Sequence, residues 1–130
     1  VAWSTGDFYT GTQSSASYRG RVAVLSGPAV MSSCESFLLM MKRAPDVVIV
    51  GAASQGSSGN PKPHDLENGV TVLLPSWKDL TPDGKELEGI GVRPDIEVQA
   101  SPDDFRLADP VLAEALAATR RPASTWSASM

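Results

Sequence analysis

A serine stands where a strand gives way to a helix in segment 30–41, which reads VMSSCESFLLMM. A serine at such a corner can present its hydroxyl group above the edge of a sheet. The N–H groups of the first helical turn lie beside it without partners inside the helix, so they can stabilise a developing negative charge. Serine acyl-transfer enzymes need this pairing. Ser32 is therefore a candidate nucleophile.

The same segment also has a purely structural interpretation. Ser32 and Glu35 follow the pattern of a capping box, in which the serine caps the N–H of the third helical residue and the glutamate reaches back. One helix start can serve both structure and chemistry, so the two interpretations are compatible. The segment alone leaves both open.

The flanking segments predict how this corner is positioned. Residues 21–26 form a short, valine-rich apolar run that is typical of a buried strand. An apolar helix is predicted over 32–43, and a second buried strand over 47–51. Strand, helix and strand in this order favour a βαβ unit with parallel strands and a right-handed crossover. The fold class is therefore α/β.

The second half of the chain is less regular. We expect a long polar loop over 52–63, because loops of this length inside a compact domain are often functional. A third strand is predicted over 69–75, and a short extended segment at most over 93–98. A last helix is expected to start at Pro110 with Asp109 as its cap. Leu112, Leu116 and neighbouring alanines would give this helix its apolar stripe.

Composition excludes several classes of protein. The chain has 130 residues, enough for one domain with a core, and its net charge of −4 argues against nucleic-acid binding. A single cysteine rules out an internal disulfide. With one cysteine and one histidine at no ligand spacing, we expect no metal centre and no cofactor. No apolar run reaches the length of a membrane span.

Several short segments in a fixed order resemble one family. They are the strand at 22–25, the Ser32–Glu35 corner, the run IVG followed by SQG over 49–56, NGVTV over 68–72, TPDG over 81–84, and EGIGVRPDI over 88–96. Together they resemble the C-terminal half of the catalytic domain of tail-specific (C-terminal processing) and tricorn-type serine peptidases. The resemblance covers roughly residues 20–120. It implies a crotonase/ClpP-like α/β fold with a ββα-type core, present here as an incomplete part of the domain.

The resemblance implies roles for particular residues. Ser32 would be the nucleophile, as the first serine of the family's S-x-x-E corner, and the backbone N–H of Ser33 would donate to the oxyanion. Glu88 matches the glutamate of the tricorn-like branch, which orients the catalytic base through hydrogen bonds. A solvated turn carboxylate is the alternative for Glu88.

The general base departs from the simplest pattern of the family. Bacterial tail-specific proteases have a lysine directly after the glycine of the corresponding loop, whereas Ser57 follows Gly56 here. A serine has no basic nitrogen with which to take the proton. Lys62 is a weak substitute, because a lysine flanked by prolines is typical of a solvated loop. The tricorn-like branch has its base histidine upstream of the nucleophile, whereas His64, the only histidine here, follows Ser32. His64 is either an ordinary loop residue or the base itself, in an active-site loop with Gly56 and Ser57.

The family's upstream strand and glycine-rich oxyanion segment have no counterpart in this sequence. We therefore expect residues 21–121 to be the C-terminal part of a serine peptidase domain, with an N-terminal arm over 1–20 and a flexible tail over 122–130. The expected partners are a peptide or unfolded-protein substrate and the missing upstream part of the same polypeptide, and a homo-oligomer is compatible with the sequence. The resemblance suggests a bacterial protein of the cell envelope or cytoplasm.

The sequence thus leads to a first hypothesis and to alternatives. First, the chain carries the nucleophile of a serine endopeptidase that works through an acyl-enzyme on Ser32, and it is inactive alone because the base is missing. The second hypothesis is a non-catalytic module that uses the same crevice to bind peptides or other ligands. A crotonase relative that acts on acyl-CoA fits the S-x-x-E corner poorly.

Overall fold

The computed structural model describes Tyr18 and residues 20–121. The arm expected over 1–20, apart from Tyr18 and Gly20, and the tail expected over 122–130 lie outside the described residues. The chain alternates between strands and helices. In order, the elements are β1 (Val22–Ser26), α1 (Ser33–Met41), β2 (Val47–Gly51), β3 (Lys62–Asp65), β4 (Thr71–Leu74), β5 (Ile96–Glu97), a 3₁₀ turn (Asp104–Arg106) and α2 (Pro110–Arg120).

The predicted βαβ unit is confirmed. β1 and β2 run parallel, with Val22 opposite Val47 and Ser26 opposite Gly51, and α1 connects them. β5 joins the other side of β2, also in parallel, so the strand order is β1-β2-β5. The carboxyl ends of β1 and β2 therefore lie at one edge of the sheet, where the loop to α1 and the loop after β2 both begin.

The core lies on both faces of β2. Ile49 points to one face and packs with Leu38 of α1, while its neighbours Val48 and Val50 point to the other face and pack against α2. A strand covered on both faces needs a continuous apolar run rather than an alternating one. This requirement explains the sequence VVIVG of β2. The structure is therefore α/β, with one helix on each side of a parallel sheet.

Helix α2 begins as the sequence predicts but packs through only some of the predicted residues. The Asp109 carboxylate accepts from the N–H groups of Val111 and Leu112 at 2.9 and 3.0 Å, so the predicted cap is confirmed. The predicted apolar stripe is correct for its alanines, since Ala115 and Ala118 face the sheet and are buried. It is wrong for Leu112 and Leu116, because these side chains are 45% and 49% exposed. The small alanine side chains allow the helix to approach the strands closely.

The predicted loop over 52–63 ends earlier than expected. Lys62–Asp65 forms β3, which pairs antiparallel with β4 in an exposed hairpin. The segment shows no apolar alternation, because neither of its faces is buried and backbone pairing alone forms the strand. Pro63 is tolerated because this two-stranded sheet leaves each strand with a free edge.

The Asp109 cap gives a test of the fold. We expect Asp109→Ala to lower the free energy of unfolding by about 1 kcal/mol, since two N–H groups at the start of α2 lose their acceptor. Urea unfolding of the two proteins measures the difference. Asp103→Ala is the matched control, because Asp103 only forms an exposed ion pair with Arg106 and should change stability by less than about 0.5 kcal/mol. Equal effects at the two positions would contradict the capping role.

Candidate active site

Ser32 occupies a sharp turn between β1 and α1. Its backbone angles are φ 55° and ψ −124°, and Ser32 is exposed. Non-glycine residues rarely adopt positive φ, and such conformations persist only where the surrounding structure imposes them. A strained strand-to-helix turn is also how the α/β-hydrolase fold exposes a nucleophilic serine. The local backbone therefore fits a serine that is held for chemistry better than it fits an ordinary N-cap in the β region.

The N–H of Ser33 lies at the start of α1, and the described part of the chain places no acceptor on it. Cys34 donates its N–H to the Met31 carbonyl at 3.2 Å, and Glu35 donates to the Ser32 carbonyl at 2.8 Å. Ser33 is the first residue of the helix, so no carbonyl inside the helix can accept its N–H. An unpaired N–H beside an exposed serine hydroxyl is the arrangement that the oxyanion hypothesis requires.

The Glu35 carboxylate connects this turn to the loop after β2. The side chain is fully buried, and four donors surround it. One oxygen, Oε1, accepts from the Gly56 N–H at 2.7 Å and from the Ser54 hydroxyl at 2.5 Å. The other, Oε2, accepts from the Ser32 N–H at 3.0 Å and from the Ser57 N–H at 3.1 Å. The carboxylate thus holds the serine turn and residues 54–57 in one arrangement.

The predicted capping box is present at the start of α1. Glu35 does reach back to the N–H of Ser32, as predicted. The Ser32 side chain lies in the position of a capping residue but makes no capping hydrogen bond of good geometry. The capping contact from the Ser32 hydroxyl to the third helical residue is therefore present but loose. The S-x-x-E spacing predicted the contact between these two residues but not the three contacts from residues 54–57.

Ser54 extends the network to a third segment. Its hydroxyl donates to Glu35 and accepts from the Val92 N–H at 2.7 Å, while its backbone N–H donates to the Val92 carbonyl at 3.1 Å. Ser54 is buried, so each of these polar groups needs its partner. The sequence indicated Ser54 only as the first residue of the SQG motif over 54–56, and it predicted no role for this side chain.

Glu88 contacts the loop after β2 rather than Ser32 itself. Its carboxylate accepts from the Ser58 N–H at 3.1 Å, and the Ser58 hydroxyl donates to Asp79. Next to Glu88, the Gly89 N–H donates to the Gly56 carbonyl at 2.7 Å. Ser57 is the link to the nucleophile candidate, because its carbonyl accepts from the Ser32 N–H at 2.8 Å. Among the predicted site residues, the structure therefore brings Ser32, Ser33, Gly56, Ser57 and Glu88 together.

His64 lies apart from this group, on the hairpin. It belongs to β3, is exposed, and stands opposite Val72 of β4. Lys62 is on the same strand and is exposed as well. The structure gives neither side chain a contact with the serine turn.

The remaining lysines are held in ion pairs on the surface. The Lys42 ammonium group lies 2.8 Å from Asp95, Lys85 lies 2.7 Å from Asp83, and Lys78 lies 2.5 Å from Glu86. The hydrogen bond with Glu86, together with its negative charge, raises the pKa of Lys78. A lysine with a raised pKa stays protonated and is a poor proton acceptor.

The described residues contain no group of three or more histidine, cysteine or acidic side chains that could hold a metal ion. Within the same part of the chain, no helix is long and apolar enough to cross a membrane.

Comparison with known families places this geometry in context. A model of peptidase family S41 matches residues 4–98, which is more than half of the chain. No curated protein sequence matches it.

Solved structures with the same fold include several proteases. A candidate peptidase from Parabacteroides merdae has a TM-score of 0.70 and 25% identity, with 78% of this chain and 32% of that protein covered. The tricorn protease has a TM-score of 0.67 and 24% identity, with 77% and 10% covered. The photosystem II D1 C-terminal processing protease has a TM-score of 0.50 and 25% identity, with 61% and 20% covered. The chain therefore spans about a third or less of each of these proteins.

The positive φ of Ser32 predicts an unusual order of stabilities. Glycine adopts this mirror-β conformation without strain, so we expect Ser32→Gly to be about 1 kcal/mol more stable than Ser32→Ala. Both variants lack the hydroxyl group, so urea unfolding of the pair isolates the backbone. The control pair is Ser36→Gly and Ser36→Ala inside α1, where glycine should instead be less stable by about 1 kcal/mol. The same order at both positions would show that Ser32 is not strained.

Gly56 predicts a second effect on stability. It has φ +70°, and a Cβ there would lie 2.5 Å from the Gly91 nitrogen and 2.8 Å from the Leu87 carbonyl oxygen, both backbone atoms. We expect Gly56→Ala to cost about 2 kcal/mol more than Gly69→Ala, because Gly69 has a similar φ of +80° in open space. Thermal or urea unfolding measures both. Equal costs would mean that the close approach at Gly56 is unimportant.

Proposed function

This chain belongs to peptidase family S41, and we propose that it carries the nucleophile of a serine peptidase, with Ser32 as the attacking residue. The observation that supports this most is the combination of an exposed serine at positive φ and the unpaired N–H of Ser33 next to it. The capping contact of the Ser32 hydroxyl falls short of hydrogen-bond geometry, so we expect the group to be available to a substrate. Peptides or unfolded proteins are the proposed substrates.

In the proposed reaction, Ser32 Oγ attacks the carbonyl carbon of the scissile peptide bond while a general base takes its proton. The carbonyl π electrons move to the oxygen, and the Ser33 N–H stabilises the resulting oxyanion. The tetrahedral intermediate then collapses, the proton goes from the base to the leaving amine, and the C–N bond breaks. Water repeats the sequence on the acyl-enzyme and releases the acid.

The general base is proposed to come from outside residues 20–121. The lysines at 42, 78 and 85 are paired with carboxylates, and Lys62 and His64 lie on the hairpin. A histidine from an upstream segment or a second chain would supply the missing nitrogen. Glu88 would then support that histidine from its position on the loop at Ser58. The chain alone is accordingly proposed to be inactive.

The likeness to protease structures also supports a finer description of the fold. We propose that residues 21–121 form the C-terminal part of a crotonase/ClpP-like catalytic domain with a ββα-type core. In this arrangement the missing upstream segment would provide a second oxyanion donor and one wall of the substrate groove.

A second candidate is a non-catalytic module that binds peptides or other ligands in the same crevice. The observation that favours it is the position of His64 and Lys62, because in the described part of the chain these two residues are on the hairpin rather than beside Ser32. The strained backbone of Ser32 argues against it, since a binding module has no need to hold a serine at positive φ.

Covalent labelling distinguishes the two candidates. We expect a fluorophosphonate to modify Ser32 in the natural polypeptide that carries this chain, and Ser32→Ala to abolish the labelling. Mass spectrometry of the digested protein identifies the modified residue. Ser36→Ala is the matched control and should be labelled like the unaltered protein, because Ser36 is an exposed residue farther along α1.

The isolated chain provides the second arm of this experiment. It should react at least about 100-fold more slowly than the natural polypeptide if the base lies outside residues 20–121. Equal labelling would contradict the proposal for the base. No labelling of a folded natural polypeptide would contradict the enzyme hypothesis and favour the binding module.

A further inference from the structure

The proposed reaction makes no direct use of Glu35, although this carboxylate lies beside the nucleophile and is fully buried. We propose that Glu35 is a positioning residue, which fixes the backbone of Ser32 and sets the place of the Glu88 segment relative to it through Ser54 and Gly56. This inference rests on the proposed function of Ser32. Glu35 would act on the reacting atoms only indirectly, through the residues that it holds in place.

The geometry excludes a direct role for the carboxylate in proton transfer. A carboxylate has two oxygens with about four acceptor positions. Here each oxygen already has two donors, one pair from Ser54 and Gly56 and the other from Ser32 and Ser57. No acceptor position is left for the hydroxyl proton of Ser32. Glu35 can therefore hold the site together but cannot act as the base.

The same contacts explain how Ser32 keeps its conformation. Its N–H is shared between Glu35 Oε2 at 3.0 Å and the Ser57 carbonyl at 2.8 Å. One acceptor belongs to α1 and the other to the loop after β2. Together they hold the peptide plane before Ser32 in one orientation. This supplies the constraint that a positive φ requires in a residue with a side chain. It also occupies the Ser32 N–H, so the Ser33 N–H is the one that faces a substrate oxygen.

Glu35 also connects the nucleophile to the segment that carries Glu88. The Ser54 hydroxyl lies between Glu35 and the Val92 N–H, so it transmits the position of one segment to the other. On the same loop, the Gly56 carbonyl accepts from the Gly89 N–H at 2.7 Å. Gly89 and Val92, which follow Glu88, are thus both attached to the loop that Glu35 holds. A shift of the loop would move Ser32 and Glu88 relative to each other.

Glu35→Gln is the test variant. A glutamine side chain has one acceptor oxygen where the carboxylate has two. Its NH₂ group, which is itself a donor, must therefore face the donors that one carboxylate oxygen accepted from. The less costly orientation keeps the oxygen towards Ser32 and Ser57 and places the NH₂ group against the Gly56 N–H. Loop 54–57 should then move, while the peptide-binding surface formed by other residues stays in place.

The readout is the kinetics of fluorophosphonate labelling in the natural polypeptide. Glu35→Gln should lower the maximal labelling rate on the order of 100-fold, while the concentration that gives half of this rate changes less than about threefold. The pH dependence of the remaining labelling should keep the midpoint of the unaltered protein, because Glu35 is not the base. A merely structural role would reduce the amount of folded, reactive protein without changing the rate of the molecules that react.

Two further variants complete the design. Ser54→Ala removes one of the four donors to Glu35 and the acceptor of the Val92 N–H, but it leaves the other three donors in place. Its effect should therefore be smaller, about 3- to 10-fold on the maximal rate. It also tests the inference if Glu35→Gln does not fold. Glu67→Gln is the matched control for charge removal, since Glu67 is exposed in the hairpin turn, and it should label at the unaltered rate.

The outcomes separate this inference from the proposed function. Suppose that the unaltered protein is labelled at Ser32. Normal labelling kinetics in Glu35→Gln would then overturn the role of Glu35 but not that of Ser32. If Glu35→Gln does not fold, normal kinetics in Ser54→Ala would have the same meaning. A shifted pH midpoint would overturn it as well, because Glu35 would then take part in proton transfer. Failure of the unaltered, folded protein to label would overturn both proposals.

Discussion

A carboxylate can be buried in a protein only if hydrogen-bond donors replace the water that it loses, because an uncompensated buried charge costs several kcal/mol. Glu35 imposes this requirement on the whole site. Its four donors come from the serine turn and from the loop after β2, so both segments must converge on one point. Charge-assisted hydrogen bonds are among the stronger ones in proteins, and they compensate both the burial of the charge and the strain at Ser32.

The parallel sheet makes this convergence geometrically possible. β1 and β2 end at the same edge, with Ser26 beside Gly51, and the two loops that leave these ends carry Ser32 and Ser54. Gly51 is needed at this point, since its φ is +130° and a Cβ would lie 2.1 Å from the Ser26 carbonyl oxygen. The apolar contacts of Ile49 with Leu38 then fix α1 against the sheet. Packing thus brings the serine turn and the loop after β2 near each other, and the hydrogen bonds to Glu35 fix their exact distance.

The sequence predicted the features that depend on local patterns. The valine-rich runs predicted β1 and β2, S-x-x-E predicted the contact between Glu35 and Ser32, and Asp109 before Pro110 predicted the start of α2. These features depend on neighbours within a few residues. The resemblance to S41 peptidases, which the family match confirms, came from the order of several such short patterns.

The remaining features depend on contacts between distant segments, which local patterns do not encode. Ser54 and Val92 are far apart in sequence, and nothing in either pattern predicts their hydrogen bond. Leu116 is exposed because α2 contacts the sheet through the smaller side chain of Ala118. His64 was expected on a loop, but backbone pairing places it on β3. The proposed base likewise comes from another segment, so no pattern near Ser32 predicts it.

The most direct test of this account is a crystal structure of the natural polypeptide after reaction with a fluorophosphonate. We expect phosphorus bonded to Ser32 Oγ, with a phosphoryl oxygen about 3 Å from the Ser33 nitrogen. The Glu35 carboxylate should still be bound to Ser32, Ser54, Gly56 and Ser57. An adduct on another residue, or a phosphoryl oxygen directed away from Ser33, would contradict the central claim that the Ser32 turn forms the nucleophile and part of the oxyanion site.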